Sequence, residues 1–549
     1  MKTKHILLTL FALAGLAGCD DFLNVLPDNR TELDSAEKIQ KLLTSAYSNR
    51  SHVLICEAAS DNCDDMGANR GYDSPQYIEQ MNRWEDMNIG ETDSNVNTWQ
   101  LYYNAINHAN TALEAIEALG TPDELLPVKG EALMCRAYCH FCLTMLYCLP
   151  YHPEKSVEYL GVPYMESPAK KINATYERGN LKTVYEKIDR DIEEALPLIR
   201  DDVYSVPKYH FNRSASYAFA ARFNLYYLKW DKVVEYADLV LGSNPALVLR
   251  DWDAVGSLQW DSSTRPRDYN NPAHSCNLLN ISLIGMTPWF LHPWQSYGGR
   301  FAHCNRVTKT ETFRAKRPMG GPFDSGNTDS GSKIYRHAPW TYNANTNNKS
   351  YQPKWSIEWM GTGYASVYVA FTTNETLLCR AEGYIHLKEY DKAVADMEAW
   401  SRSFYKVGQN GIVSLTRARI AEVYGDPLSV NYIEEYTSAK PTSRKRLNPH
   451  GFTVEAGEQE HMLQCLLYCR RIETLADGLR WGDVKRYGIE IDRFENSEYR
   501  DENTSGFKVV DSMDKNDLRR ALQIPEDVII AGLEPNPRNE NASSHPFRQ

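Results

Sequence analysis

The stretch from Cys469 to Gly488 constrains this 549-residue chain more than any other. It reads Cys-Arg-Arg-Ile-Glu-Thr-Leu-Ala-Asp-Gly-Leu-Arg-Trp-Gly-Asp-Val-Lys-Arg-Tyr-Gly. The pattern predicts a helix running from about Glu458 and ending near Gly478, where glycine takes positive φ at no steric cost. Leu479, Trp481, Val484 and Tyr487 then offer an apolar surface for docking. Arg471 is expected to pair with Asp477, and Arg480 or Arg486 with Asp483, because arginine's planar fork suits carboxylates at a partly buried surface. His461 and Cys465 lie four apart on the helix, a spacing that serves a nucleophile and its base or two packed neighbours. Packing is the reading taken, so the stretch is expected to clamp the fold and carry no chemistry.

The N-terminus reads as a targeting segment. Lys2 and Lys4 form a basic region, Ile6 to Leu16 an apolar one, and Leu16-Ala17-Gly18-Cys19 follows. Small residues before a cysteine predict cleavage ahead of Cys19 and lipidation of that residue. No later stretch approaches the ~18 consecutive apolar residues of a spanning helix. The net charge of −12 argues against a nucleic-acid partner, whose phosphates call for a basic face. Of twelve cysteines, Cys19 is assigned to lipid. Cys135, Cys139 and Cys142 share one face of a predicted helix, poor disulfide geometry, and are expected as free, buried packing residues.

Helical periodicity dominates two long regions. Asp34–Ser48, Val96–Ile116 and Val128–Leu149 read as helices, the last apolar on several faces and therefore central. Asn180 is placed to cap an amphipathic helix carrying Leu181, Val184, Ile188, Ile192, Ala195 and Ile199. Trp230-Asp231-Lys232-Val233-Val234 recurs as Tyr390-Asp391-Lys392-Ala393-Val394, each after a tyrosine-containing helix. An aromatic closing one helix, with aspartate capping the next, is how tetratricopeptide-type hairpins turn.

Two regions break the helical pattern. Cys56 to Gly90 is polar and carries Asp65, Arg70, Tyr72, Tyr77 and Trp84. A ligand-binding loop and a packed Ω-loop anchored by its own aromatics fit it equally. From about 244 to 372, Pro, Gly, Asn, Ser and aromatic residues replace helical spacing. Here Trp289, Phe290, Trp294 and Tyr297 cluster with Arg300, and Trp340, Trp355 and Trp359 follow. Flat rings beside amide, hydroxyl or guanidinium groups suit a sugar, which stacks its C–H face and hydrogen-bonds its hydroxyls. The candidate ligand-binding residues are Trp289, Trp294, Tyr297, Arg300, Trp84, Tyr72, Tyr77, Arg70 and Asp65. Catalytic signatures for serine hydrolases, zinc proteases and phosphate-binding loops are absent from the sequence. No metal ligands are assigned; a structural calcium at an Asp-rich loop is left open.

The C-terminal stretch resembles the signature of the SusD/RagB family of surface nutrient-binding lipoproteins, roughly Glu-Arg-Arg-x-Glu-Leu-x-x-Glu-Gly-x-Arg-Trp-x-Asp-Leu-x-Arg-Trp-Gly. Arg470, Arg471, Glu473, Gly478, Arg480, Trp481, Asp483, Arg486 and Gly488 match it; Cys469, Thr474, Asp477, Val484 and Tyr487 depart. Asp21 to Pro27 is similar to the segment that follows the family's lipidated cysteine, and Glu131 to Tyr138 to one of its helices. The resemblance implies a mainly α fold, a tetratricopeptide-like helical-hairpin scaffold with a loop-rich irregular region carrying the ligand site. It divides the chain into a signal peptide (1–18), an N-terminal helical part (19–243) and a second part (244–549), whose loop-rich insert (about 244–372) precedes helices (373–549). It implies a non-catalytic, lipid-anchored protein of the outer-membrane surface that passes oligosaccharide to a TonB-dependent, SusC-like transporter. Peptide capture, as in RagB-like members, and a surface-anchored glycosidase are the alternatives.

Overall fold

The computed structural model describes residues 33–65, 76–87, 90–169, 176–259, 261, 263–291, 300–313, 315, 317–319, 335–336, 340–342, 349–361, 363–406, 413–425, 443–494 and 509–539. Its architecture is mainly helical. The elements that position the core and the site are α1 (Ala36–Leu43), α2 (Val53–Ala59), α3 (Asn95–Ala118), α4 (Leu126–Tyr147), α5 (Leu181–Ala195), α6 (Arg213–Tyr226) and α7 (Trp230–Leu241). They continue with β1 (Asn277–Gly285), α8 (Thr287–Leu291), β2 (Glu358–Trp359), β3 (Tyr364–Thr372), α9 (Thr373–His386), α10 (Tyr390–Phe404), α11 (Glu458–Glu473), α12 (Leu479–Arg486) and α13 (Glu526–Ile530).

Helix starts follow the capping residues. Ser94, Asn180, Asn212 and Thr372 each accept a hydrogen bond from the backbone N–H three residues on, as expected of short polar side chains at this position. Helix α4 is buried along nearly its whole length, which its apolar faces predicted. The recurrent motif forms two hairpins, α6–α7 and α9–α10, packed together through α7 and α9. Trp230 stacks on His386 with ring centroids 3.9 Å apart. The turns differ from expectation in one respect: Leu228 and Lys388 take positive φ, while Asp231 and Asp391 lie in the first turn and do not cap.

The region from 244 to 372 holds two nine-residue strands where only loop was expected. β1 and β3 pair antiparallel, and the short β2 adds to the other edge of β3. The strands alternate too little to be legible, because both faces of β1 are largely buried. One continuous apolar core runs from Ile39 to Ile524. All eleven cysteines among the described residues are buried, with no disulfide among them. Among those residues no helix is long and apolar enough to cross a membrane.

The C-terminal stretch is the clamp its charges suggested, with different partners. Gly478 has φ +75° and opens α12. Arg480 grips Asp61 through two hydrogen bonds of 2.7 and 2.8 Å. Arg471 reaches the Asn62 side chain, the Asp61 carbonyl and Glu311, and not Asp477. Asp477 is held by Lys354 at 2.5 Å. Arg486 does pair with Asp483, at 2.7 Å, and also takes Glu382 in a bidentate grip. The expected Arg471–Asp477 pair gives way because this part of the stretch packs against Asp61 and Asn62, some 400 positions earlier.

Candidate functional site

The edge of the small sheet builds an aromatic face. β2 and β3 are joined by a tight hairpin in which the Met360 N–H donates to the Gly363 carbonyl at 2.9 Å. Pairing sets Trp359 directly across from Tyr364, and Tyr364 across from Gly285 on β1. Directly opposed side chains on one sheet face are close enough for their rings to meet. The Trp359 and Tyr364 rings lie edge to face at 5.0 Å. Helix α8 follows β1 and lays Trp289 on Tyr364 at 4.6 Å, nearly parallel at 17°. Trp359 is 59 % exposed and Met360 55 %, so the outer end of the face is left to solvent.

Asp93 fixes this face from behind. Its Oδ2 accepts hydrogen bonds from the Met286 and Thr287 amides, both at 2.6 Å, and from the Thr287 hydroxyl at 2.9 Å. These are the orphan donors at the start of α8, the helix that carries Trp289. Arg50 lies 3.6 Å from Asp93 Oδ1 and donates to Asn97 at the first turn of α3. Burial pushes the Asp93 carboxyl up, against the hydrogen bonds from Thr287 and the Arg50 charge. Glycine is required at 285, since a Cβ there would sit 2.5 Å from Asp93 Oδ1.

The predicted residues divide sharply. Trp289 lines the aromatic face. Trp84 does not: it is 1 % exposed, donates its indole N–H to the Ala59 carbonyl at 2.7 Å, and packs beneath Arg493 at 4.5 Å. Tyr77 is 2 % exposed and belongs to the core. Asp65 and Arg300 satisfy each other through two 2.7 Å hydrogen bonds, with Glu79 as a further partner of Arg300. The two register with the short bridge that pairs Asp64–Asp65 with Phe301–Ala302, so they tie the early loop to the later one. Trp84, Tyr77 and Asp65 come from a loop that is polar and aromatic, where a packed loop fits as well as a binding one, and Arg300 from the later aromatic cluster; in the structure all four make intramolecular contacts. Arg70, Tyr72, Trp294, Tyr297 and Cys19 lie outside the described residues. Trp355 is buried, with its indole N–H on the Ala476 carbonyl.

Sequence reasoning passed over Tyr364 and did not select Trp359. The signal was present in Trp359-Met360-Gly361-Thr362-Gly363-Tyr364, where paired glycines mark a hairpin and so place the flanking aromatics opposite each other.

The whole fold can be matched to known ones. A crystal structure of a SusD superfamily protein from Bacteroides thetaiotaomicron superposes with a TM-score of 0.59 at 17 % identity, covering 92 % of this chain and 100 % of that one. A SusD-like carbohydrate binding protein from Bacteroides vulgatus gives 0.57 at 14 % identity, covering 91 % and 97 %. The family model for SusD-like proteins, described as starch-binding and associating with the outer membrane, matches residues 21–225. The chain has the fold of the SusD superfamily structures, and its residues 21–225 match the SusD-like family model. A comparison with curated protein sequences found no match. Within this SusD-like fold, the aromatic face lies outside the segment matched by the family model, on the strands and helix that follow it.

Proposed function

We propose that this SusD-like chain captures an oligosaccharide on the Trp289–Tyr364–Trp359 face and performs no bond chemistry on it. The observation that carries the reading is that face: three rings in contact, the outermost mostly exposed, set on a sheet edge and anchored from behind by Asp93. Ring faces stack on the C–H surfaces of pyranoses, and a preformed platform binds without ordering cost. The family description, starch-binding and associating with the outer membrane, supports the ligand class and the location. Among the described residues no cluster of His, Cys, Asp and Glu is placed to hold a metal. In the same proposal Cys19 carries the lipid that tethers the chain to the outer-membrane surface, and the captured sugar passes to a TonB-dependent transporter.

The test titrates protein beginning at Asp20 with starch, xylan and host-glycan oligosaccharides and with short peptides, by calorimetry, with product analysis of every mixture. Sugar binding without cleavage supports capture. Binding of peptides alone moves the function to peptide uptake, and release of smaller sugars makes the chain an enzyme. In cells, Cys19→Ser is expected to release the protein from the membrane fraction.

A further inference from the structure

Farther along α3 the structure holds a second opening, separate in its residues from the aromatic face. It encloses about 330 Å³ between the second to fourth turns of α3, the segment from Pro163 to Ala169, Tyr176, and Val528 and Leu533 at α13. That volume falls at the lower end of small-molecule sites, roughly 300–1,000 Å³. Close-packed interiors leave few such voids unfilled.

The lining selects a chemistry. Among the described residues its lining carries no charged side chain, which favours a neutral ligand. Three aromatic rings contribute, from Trp99, Tyr103 and Tyr176, and apolar walls come from Ile106, Val528 and Leu533. Polar groups are set among them. Trp99 is 7 % exposed, yet its indole N–H has no acceptor among the described residues. Asn107 uses its carbonyl to hold the Ala169 amide at 2.8 Å, and its NH₂ has no acceptor among the described residues. The Asn104 amide is exposed and likewise has no partner among the described residues. Asn110, by contrast, is fully used: it donates to the Met165 and Ser167 carbonyls and accepts from Arg136, so it builds the wall. A purely apolar occupant would leave the Trp99 and Asn107 donors unpaired, whereas a hydroxylated ring satisfies them while stacking.

From this we infer that the α3 cavity is a second binding site, for one or two neutral sugar rings. Trp99 supplies a ring and a donor, Asn104 and Asn107 supply amides, and Leu533 closes the apolar side. The site does not depend on the aromatic face, and it is tested with that face disabled. Protein beginning at Asp20 and carrying Trp359→Ala is titrated with glucose, maltose and N-acetylglucosamine, by calorimetry and saturation-transfer NMR. The dipeptide Gly-Tyr serves as the peptide probe. At least one sugar is expected to bind in this background. Adding Asn104→Ala, an exposed substitution, weakens it about tenfold or more, and Leu533→Trp, which fills the opening, abolishes it while circular dichroism stays unchanged. The proposal is overturned if none of the three sugars binds, if binding survives both substitutions, or if only Gly-Tyr shows the Leu533→Trp-sensitive signal. Failure of the aromatic-face reading would appear separately, as wild type and Trp359→Ala titrating alike.

Discussion

At the scale of single residues, the fold rests on charges that water does not reach. Burial alone would push the Asp61 carboxyl up, but Arg471 and Arg480 hold it well below the usual carboxylate range. Asp61→Asn would leave both guanidiniums buried without their shared carboxylate. Breaking one partner of such a network costs about 3–5 kcal/mol, to be read from denaturant unfolding. Glu57 behaves in the opposite sense. Burial pushes its carboxyl up to about 7, against hydrogen bonds from the Gly478 amide and the Asn62 side chain. The unfolded chain releases that proton near 4.5, so between about 4.5 and 7 the folded state keeps a proton the unfolded state has lost. The contribution of Glu57 to stability is therefore greatest below 4.5 and declines as pH rises to 7, by about 3 kcal/mol across the window. Glu57→Gln is expected to gain on wild type as pH rises through that range and to run parallel with it above. Urea unfolding at several pH values measures the difference. The Arg471, Arg480 and Gly478 partners were not legible from sequence, because each lies some 400 positions from its mate.

At the scale of elements, what was legible is what periodicity and caps control. Helix α4, the Asn180 cap, the start of α11 and the positive φ of Gly478 follow from local spacing; the end of α11 does not, since the helix stops at Glu473 and Gly478 opens α12 instead of closing α11. The strands β1 and β3 were missed, since a strand buried on both faces lacks the alternation that identifies it. The aromatic hairpin was missed for a related reason: ring count was read, and register was not. Register is also where the element is most vulnerable. Gly285→Ala would place a methyl group 2.5 Å from Asp93 Oδ1 and 2.9 Å from its Cγ, forcing the carboxylate off the start of α8. Overpacking of this kind costs about 1–3 kcal/mol. Sugar affinity is expected to fall with it, because Trp289 loses its anchored turn; calorimetry at a temperature where the variant remains folded checks this. A matching loss in Asp93→Ala, without the added methyl, would assign the effect to the anchor.

At the scale of the molecule, the C-terminal stretch, α2 and the early loop form one unit although they sit at opposite ends of the chain. Arg493 completes it, donating to the carbonyls of Ala58, Ala59, Ser60, Cys63 and Asn82, which include the last acceptors of α2. This explains why polar residues around Trp84, Tyr77 and Asp65 looked like a binding loop and are structural. Buried polar networks and ligand sites use the same residue types, and composition does not separate them. The aromatic face, open to solvent at Trp359, is built on β1, α8, β2 and β3, at a sheet edge braced by Asp93. The measurement that bears most directly on capture is the dissociation constant of the tightest-binding neutral oligosaccharide for wild type and for Trp359→Ala. An exposed ring leaves the fold intact when removed, so the comparison isolates stacking. A loss of about tenfold or more, equivalent to ~1.4 kcal/mol, with unchanged thermal unfolding, is the predicted result. Equal affinity in the two proteins would place the sugar elsewhere and contradict the assignment of this face.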